Sequence, residues 1–530
     1  MFLTSVPKVG WWVTIMVVTF VLASVVSLLS NLSFDLLVTL WSDRYLRHIA
    51  NFSFYQAFLS TLFSVLPAIP ISLALYRRRF FGRSSIIKLC SITLVLPVLV
   101  GVFGVIAIYG NHGVIRQTLN HWWALDRFSI YGLNGILLAH VFFNLPYASR
   151  LLLQSMETIP YEQNLLSLHL GMTAWQRFRW VEWPRLQQSL LPIAGLVFML
   201  CFTSFATVMT LGGGPKSTTI ELAIYQAIKF DFDLSTGAIL AIAQMFFCSV
   251  LYFLFQHNAK NIRVNIETPD YDAPKTRNSI GLLIWDVMWL FLLIWIVIPP
   301  LLSVLFSGLN SQIIVVLSRS DFWAALLLSM SIAFFSGGIA TVFGYLIVIT
   351  SRGLKLNRYR KMADTLELLG SLVLVTPSLV ISTGLFLLLR QFSDIYSFSF
   401  WIVVFVNGLM ALPFVIKILS PPMWLVEKQY YLLCSSLGIQ RWNKFYLIDV
   451  KSIKAPLVYS FSLSFLLSLG DLTAISMFGS QDFQTLPLFL FRLLGSYQMD
   501  AASVVALVMM LLSLFFFSLF ERVSHYQRMK

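Results

Sequence analysis

An acidic residue inside an apolar run is the first place to look for chemistry. Asp471 lies within such a run, Leu463 to Phe478. An ionisable group at membrane depth is costly, so it reads as a gate, a contact for a cationic solute, or a structural carboxylate near a helix end. Ser204 stands at the matching position of the first half of the chain. His140 and Asn144 lie one helical turn apart in another apolar segment, and Asn407 matches His140. These polar groups either line a path or hydrogen-bond between helices.

Catalytic patterns are missing. The run Gly212-Gly213-Gly214-Pro215-Lys216-Ser217 imitates a phosphate loop, but Pro215 stands where Gly must precede Lys. There is no HExxH, no GxSxG and no His/Cys cluster with metal spacing. We expect no catalytic residue, no metal and no cofactor. The four cysteines (Cys90, Cys201, Cys248 and Cys434) read as free thiols.

A second pattern points to mechanics. Leu170-Gly171-Met172-Thr173-Ala174-Trp175-Gln176-Arg177-Phe178 returns as Leu437-Gly438-Ile439-Gln440-Arg441-Trp442-Asn443-Lys444-Phe445. Gly, Trp and Phe keep their spacing at an offset of 267. Glu162 lies in the first turn of a helix expected from about 160 to 170, after Thr158 and Pro160. Gly171 then permits a turn, and Trp175 and Phe178 follow at i and i+3 on a second short amphipathic helix. One copy alone would suit an interfacial helix with Trp at the lipid boundary. Two copies at matching places argue for a docking surface.

The elements that position these loops are membrane spans. Of the 530 residues, 58% are hydrophobic and 11% charged, with mean hydropathy +0.80. That excess of apolar surface excludes a soluble domain. Apolar stretches of about 20 residues recur. We read about twelve spans, near 11–30, 52–76, 86–109, 132–154, 189–211, 236–256, 280–306, 323–350, 366–390, 399–419, 456–478 and 502–522. The first reads as a retained helix and not a signal peptide.

With the N-terminus cytoplasmic, about 28 of the 37 Lys and Arg fall on the inner side. Both termini are then cytoplasmic. The net charge of +14 reports topology and contact with the lipid bilayer, not nucleic acid.

The repeat also pairs Pro146 with Pro413, Arg150 with Lys417, Glu182 with Asp449, and Gly212 with Gly479. At a slightly different offset, Pro97 and Gly104 pair with Pro377 and Gly384. The expected fold is an all-α polytopic membrane protein with two parallel six-helix halves. The halves are 1–262, with a loop at 157–185, and 280–530, with a loop at 424–455. A cytoplasmic linker, 263–279, joins them. The prolines permit kinks that shape a cavity or let helices rock.

The duplicated loop resembles the cytoplasmic EAA loop of ABC importer permeases, which docks on the ATPase. The match falls on Glu162, Gly171, Trp175 and Phe178, and on Gly438, Trp442 and Phe445. The Glu-Ala-Ala core is replaced by Leu165-Leu166-Ser167 and Leu432-Leu433-Cys434. Segments such as His140-Val141-Phe142-Phe143-Asn144-Leu145-Pro146, Thr219-Ile220-Glu221-Leu222 and Gly470-Asp471 look like the fused membrane subunits of bacterial thiamine importers.

That resemblance implies a type I ABC importer permease in the bacterial inner membrane. It also implies a separate ATP-binding subunit in two copies, one per loop, and a periplasmic thiamine-binding protein. Thiamine and its phosphate esters would pass inward by alternating access. The nearest alternative substrate is ferric ion. A twelve-helix secondary transporter would also have parallel six-helix halves, but it lacks a reason for the Gly-Trp-Phe loops.

Overall fold

A computed structural model describes residues 8–31, 43–110, 113, 129–257, 280–390, 395–439 and 441–526. The linker expected at 263–279 and both chain ends lie outside the described residues. The described chain is helical and contains no strand, as a bilayer demands of a chain that must satisfy its own backbone.

The first half comprises α1 (Val9–Ser30), α2 (Arg44–Arg77), α3 (Arg83–Val95), α4 (Val98–Tyr109), α5 (Leu133–Met156), α6 (Tyr161–His169), α7 (Ala174–Arg177), α8 (Trp183–Phe202), α9 (Phe205–Leu211), α10 (Ile220–Lys229) and α11 (Leu234–His257). The second comprises α12 (Ile280–Gly308), α13 (Gln312–Ser318), α14 (Ser320–Leu356), α15 (Arg360–Gly370), α16 (Ser378–Leu389), α17 (Ile395–Ser436), α18 (Arg441–Lys444), α19 (Val450–Leu469), α20 (Thr473–Phe478), α21 (Leu486–Gly495) and α22 (Met499–Tyr526).

All twelve expected apolar segments are helical, but not all are unbroken. Ten described helices are long and apolar enough to cross a membrane, or eleven if the bent pair α3 and α4 forms one span. That pair turns by 110°. The ninth expected span, 366–390, is likewise divided into α15 and α16. The cause is shared. Pro97 and Pro377 precede the first residues of α4 and α16, where their missing N–H and fixed φ suit a helix start but cannot continue the helix before them. Pro146 and Pro413 instead lie within the continuous helices α5 and α17.

The fifth span of each half also differs from a single rod. It stops at Phe202 and at Leu469, then resumes as α9 and α20. Ser204 and Asp471 occupy these two breaks. Asp471 therefore sits at a helix junction, not midway along a helix.

Each half lends its first helix to the other. Helix α1 packs on α14 and α16, and α12 packs on α2 and α4. The exchange relies on two matched glycines. A Cβ at Gly384 would fall 2.4 Å from the Ser24 carbonyl oxygen of α1, and one at Gly104 would fall 2.5 Å from that of Pro300 in α12. Only a hydrogen there lets the helices approach so closely. Polar ties reinforce the crossing. Gly10 N donates to Thr350 Oγ1 at 2.9 Å, and Arg78 Nε donates to Asp286 Oδ2 at 2.6 Å.

Candidate coupling loops and polar path

The two loops are carried past the bundle by long helices. α17 has 42 residues, or about 60 Å at 1.5 Å per residue, against about 30 Å of hydrocarbon. In the first half the same stretch is divided, because Pro160 has no backbone N–H to continue α5. α6 starts just after it.

Both helices end alike. Gly171 and Gly438 have φ of +61° and +66°, the left-handed conformation of a helix C-terminal glycine. Gly171 N donates to Leu168 O at 3.0 Å and Met172 N to Ser167 O at 3.1 Å. In the second copy Ile439 N donates to Cys434 O at 2.9 Å. No atom lies within 4 Å of a Cβ added at either glycine, so the requirement is one of backbone conformation and not of space.

After Gly171, Thr173 caps α7. Its Oγ1 accepts from Gln176 N at 3.3 Å, and its own N–H donates to Gln176 Oε1 at 2.8 Å. The expected second amphipathic helix is then shorter than its aromatic spacing suggests. Phe178 begins a π-helical turn, Phe178–Glu182, and Phe445 begins its counterpart, Phe445–Asp449. The wider turn is rare and marks places where a helix is bent to a purpose. The Trp175 and Phe178 rings meet at a tilt, 5.5 Å between centres.

Each π turn ends on a buried acid held by an arginine from the second span of its half. Glu182 accepts from Arg77 Nε at 3.0 Å and from Arg77 Nη2, and Arg177 Nε lies 3.3 Å from it. Asp449 accepts from Arg352 Nη1 at 2.9 Å and Nη2 at 2.5 Å. The second site contains one more acid. Glu427 lies 3.3 Å from Arg352 Nε and accepts from Lys444 Nζ at 2.7 and 2.8 Å. These bidentate, charge-assisted contacts fasten the loop base to a span. The repeat revealed Glu182 and Asp449 as a pair without a role. Glu427 gave no signal, because its counterpart is Pro160.

Above this anchor both loops expose apolar side chains. Leu166, Leu170 and Trp175 are exposed, the last by 70%, as are Leu433 and Leu437 in the second copy. Glu162 and both glycines are exposed as well. Trp442 lies in α18, and its side chain is outside the described residues.

The polar residues within the spans are distributed differently. His140 is buried, with Nδ1 2.8 Å from Ser60 Oγ. Asn144 Nδ2 donates to Cys201 Sγ at 3.3 Å, and Asn407 Nδ2 to Ser468 Oγ at 3.0 Å. These three tie helices together within each half. Ser204 Oγ donates to Cys201 O at 2.9 Å. Asp471 Oδ2 accepts from Ala474 N in the first turn of α20 at 3.1 Å, and it retains accessible surface. Gly470 meets the other half directly, since a Cβ there would lie 3.0 Å from Pro97 Cα.

Residues 49–264 and 340–528 both match the family model described as binding-protein-dependent transport system inner membrane component. The chain is 43% identical over 528 residues to the thiamine transport system permease protein of Escherichia coli, covering 97% of both chains. It is 42% identical over 512 residues to that of Salmonella typhimurium, covering 96% of this chain and 95% of the relative. Against the protein of the same name from Haemophilus influenzae it is 42% identical over 475 residues, covering 89% and 88%.

Proposed function

This chain belongs to the family of binding-protein-dependent transport system inner membrane components, the permease subunits of ABC importers, and on that premise we propose that it carries thiamine and its phosphate esters into the cytoplasm by alternating access. The substrate reading is supported by similarity to thiamine permeases over nearly the whole length. The charge distribution of the loops supports cytoplasmic termini and inward-facing coupling loops.

The observation that carries the coupling is the matched pair of exposed apolar loop tips on buried charged anchors. Leu166, Leu170 and Trp175 in the first loop, with Leu433 and Leu437 in the second, offer each of two ATP-binding subunits a rigid ridge. Glu162, Phe178, Trp442 and Phe445 complete these two footholds. Gly171 and Gly438 set the angle of the tip. The π turn delivers any displacement to α8 or α19, and the Arg77–Glu182 and Arg352–Asp449 contacts share it with α2 or α14. A partner can drive this change only by holding the two states unequally. Closure of the ATPase pair draws the loops together and opens the outer side to a periplasmic thiamine-binding protein. Hydrolysis separates them and opens the inner side. Ser204 and Asp471, at the two helix breaks, line the gate.

The test is reconstitution of the chain with its ATPase and binding protein. Labelled thiamine should accumulate only with ATP and loaded binding protein. Robust ATP-driven uptake of ferric ion with none of thiamine would replace the substrate reading.

A further inference from the structure

Glu221 is the second residue of α10 and is 2% exposed. Its Oε1 accepts from Gln244 Nε2 of α11 at 3.0 Å. Glu221 Oε2 and Gln244 Oε1 have no hydrogen-bond partner among the described residues. Among those residues the ion pairs also leave Glu221 out. Two acceptors, one of them a carboxylate oxygen, are thus buried side by side without a donor. Burying an acceptor without a donor is costly, and more so when it is charged. What the pair lacks is a donor or a positive charge.

The pair lies where the halves meet. α10 and α11 both pack on α16 of the second half, and α16 packs on α20. Asp471 lies two residues before the start of α20. α16 adds Ser382 and Thr383, buried hydroxyls that also lack partners among the described residues. Lys229, at the far end of α10, does not neutralise the acid. It lies eight residues, or about 12 Å, along the helix from Glu221, with its ammonium 5.5 Å from the Phe386 ring. Beside Asp471, Gly470 packs on Pro97 of the first half. Irregular backbone at membrane depth is tolerated where it is packed in protein or lines a cavity.

The acids do not follow the repeat. Thr219 and Thr485 stand at the N-caps of the matching helices α10 and α21, so the counterpart of Glu221 is Pro487, and that of Asp471 is Ser204. Each half contributes one acid at a position where the other half has none. A site for a solute with a single charged ring has no reason to be symmetrical.

We propose that Glu221 and Gln244 of the first half, with Asp471 of the second, form the contact for the positively charged ring of the transported solute. The proposal rests on the thiamine reading above, since thiamine carries a quaternary ring nitrogen. The carboxylates supply charge complementarity, and the Gln244 amide fixes the orientation of Glu221.

Equilibrium binding of labelled thiamine to the permease–ATPase complex, trapped with a non-hydrolysable ATP analogue, tests it. Glu221→Gln preserves size and should weaken thiamine binding at least tenfold. Binding of an uncharged thiamine analogue should change less than twofold, and Glu221→Asp should recover part of the loss. Thiamine affinity within twofold of the unsubstituted complex would overturn the proposal. So would equal loss of the charged and uncharged ligands, which would mark Glu221 as structural. A wild-type complex that neither binds nor transports thiamine would remove the substrate reading, and this proposal with it.

Discussion

The two duplicated loops share their geometry and differ in their charge. Both have a left-handed glycine, a π turn and a buried acid held by an arginine. The first anchor sets two arginines, Arg77 and Arg177, against Glu182. The second sets Arg352 and Lys444 against Asp449 and Glu427. One position explains much of the contrast. Where the first half has Pro160, the second has Glu427. Proline ends a helix and brings no charge, so α5 and α6 are separate and Arg177 Nε and Nη1 make no hydrogen bond among the described residues. Glutamate lets α17 run on and pairs with Lys444. The lesson is that a duplicated loop preserves backbone shape while its electrostatics drift.

The largest expected effect separates the anchors. Arg352→Met leaves two buried carboxylates with Lys444 alone. It should cost about 3–5 kcal/mol, the usual cost of breaking a buried pair. Arg77→Met leaves Glu182 beside Arg177 and should cost less, about 1–3 kcal/mol. Unfolding midpoints in detergent compare them directly, and equal shifts would show that the extra acid of the second anchor has no energetic weight.

The glycines should behave alike where the anchors do not. Gly171→Val and Gly438→Val each force a β-branched residue into the left-handed region, at about 1–2 kcal/mol. There is room for the side chain, so the protein should still assemble. ATPase stimulation by loaded binding protein should fall in both, measured as phosphate release in vesicles. Full stimulation in either variant would remove that loop from the coupling.

The smallest effect belongs to the first loop. Thr173→Ala removes the cap and should cost about 0.5–2 kcal/mol. A midpoint unchanged within error would show that α7 is held by its aromatic contacts instead.

How much of this was legible in the sequence depended on range. The spans, the repeat and the need for Gly171 and Gly438 follow from local composition and spacing. Pro97 and Pro377 announced a disturbance, but not that they would divide a span while Pro146 and Pro413 would leave theirs intact. That outcome depends on neighbouring helices. The π turns Phe178–Glu182 and Phe445–Asp449 had no local mark, and the ion pairs that hold the acids at their ends come from distant helices. The exchange of α1 and α12 was visible only as two matched glycines, Gly104 and Gly384, whose partners lie across the chain. Glu221 stood within a quoted segment, yet its isolation became clear only once α10, α11 and α16 were packed together.

The central claim is that an external ATPase drives this bundle through its two loops. The most direct measurement is thiamine uptake into vesicles containing the purified chain, with and without its ATP-binding subunit. Each preparation should be given ATP in one series and a proton or sodium gradient in another. The account predicts accumulation only when the subunit, ATP and loaded binding protein are all present. Accumulation by the chain alone on an ion gradient would contradict it.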